Sequence, residues 1–134
     1  MNVPDWFAGL NSPLDDKMGV ELLEVTPARA TGRCPVQGNT QPFGLWHGGA
    51  SCVLAESLAS LAAAAEVGPD GAVTGVDINA THLRPAREGW VTGVATAIRI
   101  GGTLATYDIS ITDDAGEQVC AARITVFLKR AGRS

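Results

Sequence analysis

The segment Gly48 to Val67 reads Gly-Gly-Ala-Ser-Cys-Val-Leu-Ala-Glu-Ser-Leu-Ala-Ser-Leu-Ala-Ala-Ala-Ala-Glu-Val, and it limits the possible folds more than any other stretch. Alanine and leucine are strong helix formers, no proline interrupts them, and Gly68-Pro69 is a standard helix stop. Apolar residues occur at almost every angle around this helix, so it is expected to be buried on most sides. It is the single long helix of the chain, and everything after Pro69 reads as strand. A sheet that must bury one apolar helix has to curve around it, which is an α+β architecture.

The strands follow from period-two patterning and turn residues. Gly19 to Val25 and Arg29 to Val36 form a first pair, joined at Thr26 and Pro27, and Gly38 to Gly44 is a loop. Val73 to Arg84 forms the next strand, with His82 in parity with Val76, Ile78 and Ala80 and therefore facing the helix. In Val91 to Gly101, Val94, Ile98 and Ile100 alternate with Gly93, Ala95, Ala97 and Arg99. Ala105, Tyr107, Ile109 and Ile111 share one face of Leu104 to Thr112, and Cys120, Ala122, Ile124, Val126 and Leu128 share one face of Gln118 to Leu128. Gly101-Gly102 and Asp113-Asp114-Ala115-Gly116 supply the hairpin turns. Residues 1–18 read as a short arm, so the 134 residues form one domain. One helix cannot cover such a sheet, so a second subunit is expected on the remaining apolar face.

Composition excludes several function classes. A net charge of −4 without a basic stripe argues against nucleic-acid binding. No basic region precedes an apolar run at the N-terminus, and the run Ala50 to Ala65 is too interrupted and too short to span a bilayer. Cys34, Cys52 and Cys120 lack metal or disulfide spacing and fit small buried hydrophobes in a reducing compartment, so the chain is expected to be cytoplasmic.

The chemistry concentrates at the front of the helix. Gly48 and Gly49 let a substrate approach backbone N–H groups that lack intrahelical partners, where the helix dipole favours developing negative charge. The Gly48 N–H is the candidate oxyanion donor. Glu56 is flanked by Val53, Leu54, Ala55, Leu58 and Ala59, so burial is expected to raise its pKa and make it a base or nucleophile near neutrality. Gln41 offers a neutral donor for the same carbonyl, or else bonds its own loop. His47 fits a structural part better than that of a base. Ser60, at i+4 from Glu56, could hold the attacking water or contact substrate.

This order of strands and helix resembles the hotdog-fold thioesterases. The residues that carry the likeness are Gln41-Pro42-Phe43-Gly44-Leu45, His47-Gly48-Gly49-Ala50-Ser51, Val53-Leu54-Ala55-Glu56-Ser57 and the run Ile78 to Gly89. Within the family the chain looks most like the acyl-CoA thioesterases of the 4-hydroxybenzoyl-CoA and 1,4-dihydroxy-2-naphthoyl-CoA type. The resemblance implies hydrolysis of an aryl or polycyclic aromatic acyl-CoA, with Glu56 attacking the thioester carbon or activating water. It implies that His47 fixes the loop and Gln41, and that His82 and Gly49 meet the substrate. Coenzyme A enters as part of the substrate and no other cofactor or metal is implied. Arginine suits phosphate oxygens, which makes Arg84, Arg87, Arg130 and Arg133, with Lys129 and Thr103, the candidates for the nucleotide end. Arg84 is favoured because relatives bind the nucleotide there. A homotetramer built as a dimer of dimers is implied, and an acyl carrier protein is the alternative thioester donor.

Other classes fit less well. No Gly-x-Ser-x-Gly elbow occurs for a serine hydrolase, and His47, Glu56 and His82 offer no close ligand pair for zinc. A hotdog dehydratase would use an Asp/His pair in place of a helix-borne glutamate beside Gln41. An idle acyl-CoA-binding domain would not need Gln41, His47 and Glu56 together.

Overall fold

The computed structural model describes residues 2–132. Its centre is the helix Gly48–Val67, α2. A short helix α1 (Pro13–Met18) and strands β1 (Glu21–Val25) and β2 (Arg29–Pro35) precede it, and β3 (Ala72–His82), β4 (Trp90–Ile100), β5 (Leu104–Thr112) and β6 (Gln118–Lys129) follow. The strands form one antiparallel sheet in the order β1-β2-β4-β5-β6-β3. The sheet packs on α2, and its edges are β1 and β3.

The helix lies close to the sheet because both surfaces are trimmed. Ala55, Ala59, Ala62 and Ala63 are fully buried on α2. Beneath Leu58 stand Gly32 and Gly93, where an added Cβ would come within 2.9 and 2.8 Å of the leucine methyls. Tyr107, Ile109, Ile111, Ile124, Val126 and Leu128 complete the core from β5 and β6. Burying Leu54 and Leu58 is worth about 1.5–3 kcal/mol each. The Tyr107 hydroxyl, unable to reach water, donates to Pro27 O at 2.7 Å.

Strict alternation holds as read in β5 and from Cys120 to Leu128 in β6, where only Val119 departs from it by being buried beside Cys120, but β3 and β4 each carry a bulge. In β3 the register shifts between Gly75 and Asp77, which throws Val76 outward to 60% exposure while Ile78, Ala80 and His82 keep the helix-facing parity. In β4 the shift falls between Ala97 and Arg99, so Ile98 is 56% exposed and the buried residues are Val91, Gly93 and Ala95. β3 stops at His82, two residues short of Arg84, because Leu83 and Arg84 lead into Pro85.

Residues 1–18 are more than a loose arm. Asp5–Gly9 forms a 3-10 turn with Phe7 buried, and α1 has a complete set of end signals. Ser12 caps the Asp15 N–H, Pro13 opens the helix, and Gly19 closes it at φ 82°.

Burial of α2 on most sides is not found within one chain. Ala50, Ser51, Leu54, Ala55, Leu58, Ala59, Ala62 and Ala63 are buried, whereas Cys52, Val53, Ser57, Ser60 and Leu61 are only partly covered by the arm. The run Ala50 to Ala65 was also read as too short for a bilayer, yet α2, with a mean hydropathy of 1.4 over its most apolar window, is long and apolar enough by length and composition alone. Scattered serines and one glutamate interrupt the run without lowering the window average enough to matter.

Candidate active site

His47 starts α2 as its N-cap. Its Nδ1 accepts the Gly49 N–H at 2.8 Å, and its carbonyl accepts from Ala50 and Ser51. Among the described residues nothing accepts from the Gly48 N–H, so this donor remains available at the positive end of the helix. The His82 ring packs against the Cα of Gly48: a Cβ there would stand 2.7 Å from His82 Nε2, so only glycine fits beside the imidazole. The Gln41 carboxamide oxygen accepts from Phe43 and Leu45 N–H groups. Gln41 therefore shapes its own loop, and its oxygen is committed while its NH₂ end is not bonded among the described residues.

Glu56 differs from expectation. It is exposed in the single chain, at a cavity of about 410 Å³ lined by Ser12, Leu14 and Asp15 of the arm and by Cys52, Ser57 and Ser60 of α2, among others. The apolar neighbours at i±1 to i±3 point elsewhere around the helix, so the desolvation expected from them is not supplied by this chain. The carboxylate instead leans over the β3 edge at Gly75, where an added Cβ would stand 2.6 Å from Oε2. Sequence reading missed Gly75. The signal available was a glycine inside a strand, which often marks a bulge or a close approach. Ser60 shares the cavity with Glu56, as the i+4 spacing implies.

The cavity and the helix N-terminus are separate places in one chain. Gly48 and Glu56 are eight residues apart on α2, about 12 Å along its axis. One carbonyl group cannot touch both within a single chain.

The candidates for the nucleotide also divide. Arg84 is exposed and pairs with Glu117 at 3.6 Å, and Arg87 stands among Glu88, Asp113 and Asp114. Thr103 and Lys129 lie at the far end of β6, about 30 Å away along the sheet. Arg130 is already committed: it donates to Gly101 O and Gly102 O and pairs with Glu66 at 2.9 Å, clamping the end of α2 to the β4–β5 turn. Arg133 lies outside the described residues. Cys34 and Cys120 are buried, whereas Cys52 is half-buried at the cavity wall.

Known proteins match this arrangement. A family model described as the thioesterase superfamily matches residues 43–120. The chain is 40% identical to a 1,4-dihydroxy-2-naphthoyl-CoA hydrolase of Listeria monocytogenes, over 87% of this chain and 96% of the relative. It is 41% identical to the Escherichia coli protein of that name, over 82% of this chain and 76% of the relative. A Haemophilus influenzae thioesterase superposes with a TM-score of 0.89 at 30% identity, covering 99% of this chain and 94% of that one. Two structures of a Staphylococcus aureus protein, one described as a thioesterase, carry a glutamine-to-alanine and a glutamate-to-alanine substitution; they cover 88% and 87% of this chain at 29% and 30% identity, with TM-scores of 0.85 and 0.84, and 99% and 98% of their own lengths. With its hotdog sheet, its central helix and these matches, the chain belongs to the thioesterase superfamily and is a thioester hydrolase.

Proposed function

We propose that the protein hydrolyses an aromatic acyl-CoA, with 1,4-dihydroxy-2-naphthoyl-CoA as the leading substrate and 4-hydroxybenzoyl-CoA as the nearest alternative. The observation that carries this reading is the Glu56 carboxylate set over Gly75 at the mouth of a cavity large enough for a bicyclic ring. The two hydrolases at 40 and 41% identity support the acyl group. The two substituted positions in the Staphylococcus aureus protein have the same separation as Gln41 and Glu56, which supports those two as a working pair.

The 12 Å between Gly48 and Glu56 supports a site built from two chains, one giving the N–H and the other the carboxylate. Packing the open face of α2 against a second copy would also cover the half-buried Val53, Ser57 and Leu61; a two-fold contact of this kind closes as a dimer, and a dimer of dimers would add a second, different contact. In this site the Gly48 N–H, with the Gln41 amide beside it, stabilises the oxyanion as the carbonyl carbon becomes tetrahedral. Glu56 either attacks that carbon, giving an anhydride that water then opens, or takes a proton from an attacking water oriented by Ser60. In both routes the C–S bond breaks, the sulfur leaves as coenzyme A thiolate and takes up a proton, and water supplies the acid oxygen. Arg84 would hold the coenzyme A phosphates outside, and His82 keeps the substrate end of α2 in place.

A steady-state panel of 1,4-dihydroxy-2-naphthoyl-, 4-hydroxybenzoyl-, acetyl- and palmitoyl-CoA, with one acylated carrier protein, tests the assignment. The aromatic coenzyme A thioesters should have the highest kcat/KM. Preference for the carrier-protein thioester would replace this substrate with the proofreading reaction.

A further inference from the structure

We propose that Asn39 is a positioning residue for the reaction, fixing through His47 the helix end whose Gly48 N–H polarises the thioester carbonyl. The inference rests on the part given to Gly48 above. Asn39 is half-buried in the loop between β2 and α2 and is held from several directions. Its Nδ2 donates to Met18 O and to Pro35 O, each at 2.8 Å, and lies 3.5 Å from Cys34 Sγ. Its backbone N–H donates to Val36 O at 2.9 Å, and its carbonyl accepts the His47 N–H at 3.0 Å.

These partners are the ends of three elements. Met18 ends α1, Pro35 ends β2, and His47 opens α2. Two carbonyls converging on one point need a group with two donors and no competing negative charge. A neutral carboxamide meets that need, a serine hydroxyl supplies one donor, and an ionised aspartate supplies none. Asn39 is not among the residues lining the Glu56 cavity, so its effect on the reaction must pass through the elements it holds, His47 first among them.

The same amide also references the cavity wall. α1 carries Asp15, which lines the cavity and accepts from Ser57 Oγ at 2.8 Å. With Met18 bonded to Asn39, the short helix is tied to α2 at one point and to the loop before α2 at another. Acyl wall and carbonyl donor are thus set from one residue, the wall through its side chain and the donor through its backbone carbonyl. A loop that loses this tie can drift, and a donor misplaced by about 1 Å costs up to about a hundredfold in rate.

The test uses the full-length protein in a Glu56→Gln background, which stops turnover, bound to 4-hydroxybenzoyl-CoA carrying ¹³C at the thioester carbon. Infrared difference spectra should show the bound carbonyl stretch lowered relative to free substrate. Asn39→Ser should lose part of that shift and Asn39→Ala most of it. With Glu56 restored, Asn39→Ala should lower kcat about ten- to a hundredfold while KM changes less than about threefold. Asn39→Ser should fall between, which keeps the idea testable if the alanine variant does not fold. A carbonyl shift present in the parent and unchanged in both Asn39 variants, with only melting temperature lowered, makes Asn39 purely structural and overturns the proposal. No shift in the parent removes Gly48 as the donor, and the proposal with it.

Discussion

Gly75→Ala should separate activity from stability in opposite directions. The new Cβ would stand 2.6 Å from Glu56 Oε2 and 3.2 Å from Cδ, about 0.8 Å inside the 3.4 Å where ordinary contact begins. Glu56 is an exposed, flexible side chain, so it will yield before the strand does. Moving a reacting oxygen by that distance is expected to cost about ten- to a hundredfold in kcat, or about 1.4–2.7 kcal/mol of barrier. Gly75 does not have a positive φ, so alanine fits its backbone and restricts the unfolded chain, stabilising the protein by about 0.4–1 kcal/mol. For a chain of this size that raises the melting temperature by about 2–4 °C. Steady-state hydrolysis of 4-hydroxybenzoyl-CoA and calorimetric melting measure the two effects, with Gly9→Ala, where a Cβ meets nothing within 4 Å, as control. Unchanged kcat in Gly75→Ala, or loss of activity together with a lower melting temperature, would refute the argument.

Glu56→Gln should retain fold and substrate binding but reduce turnover by at least about a hundredfold, measured by thiol release; near-normal turnover would remove this carboxylate from the mechanism. Arg84→Ala should raise KM for full acyl-CoA about tenfold with kcat little changed, and should spare the truncated pantetheine thioester, which lacks the phosphates. Its exposed pair with Glu117 contributes at most about 1 kcal/mol, so melting should barely move. Burial raises the Cys34 thiol from 9.0 to about 11, with the Asp15 charge adding to it, and raises the Tyr107 phenol from 10.0 to about 12, with Glu66 adding to it. Both groups hold their protons in the fold to higher pH than in the unfolded chain. Their stabilisation is therefore complete below about pH 9 and lost as pH climbs through about 11 and 12. Melting curves over that range should fall, and Cys34→Ala with Tyr107→Phe should flatten the decline.

Much of this architecture is legible because it depends on local pattern. α2 is written in its alanines, its lack of proline and its glycine boundaries. β5 and most of β6 are written in alternation, since each buries one face, from Ala105 to Ile111 and from Cys120 to Leu128. The bulges at Val76 and Ile98 are not legible, because an extra residue changes parity without changing composition. α1 carried its signals in plain view, with Ser12, Pro13 and Gly19 at the right offsets, but six residues are too few for a period to stand out. Among the candidate site residues, Glu56 with Ser60 and Gly48 with His82 are brought together as spacing and parity implied. The burial of Glu56 was misjudged because neighbours in sequence point around the helix and do not surround the side chain. The partners of Arg130, Glu66 and the Gly101-Gly102 turn, are not legible because they are remote in sequence.

The cavity takes Glu56 and Ser60 from α2 but Leu14 and Asp15 from α1 and Ser12 from its N-cap, all ahead of the stretch 43–120 matched by the family model. If Glu56 reacts and α1 walls the acyl group as proposed, reacting groups and acyl wall are encoded in different parts of the gene. On that reading a lineage could vary the wall without touching α2. Changes at Leu14 or Ser12 alter the shape presented to the acyl group without disturbing the packing of α2 on its glycine-lined sheet. Grafting the short segment around α1 from one relative onto another is accordingly a compact way to transplant acyl preference between otherwise unchanged catalysts.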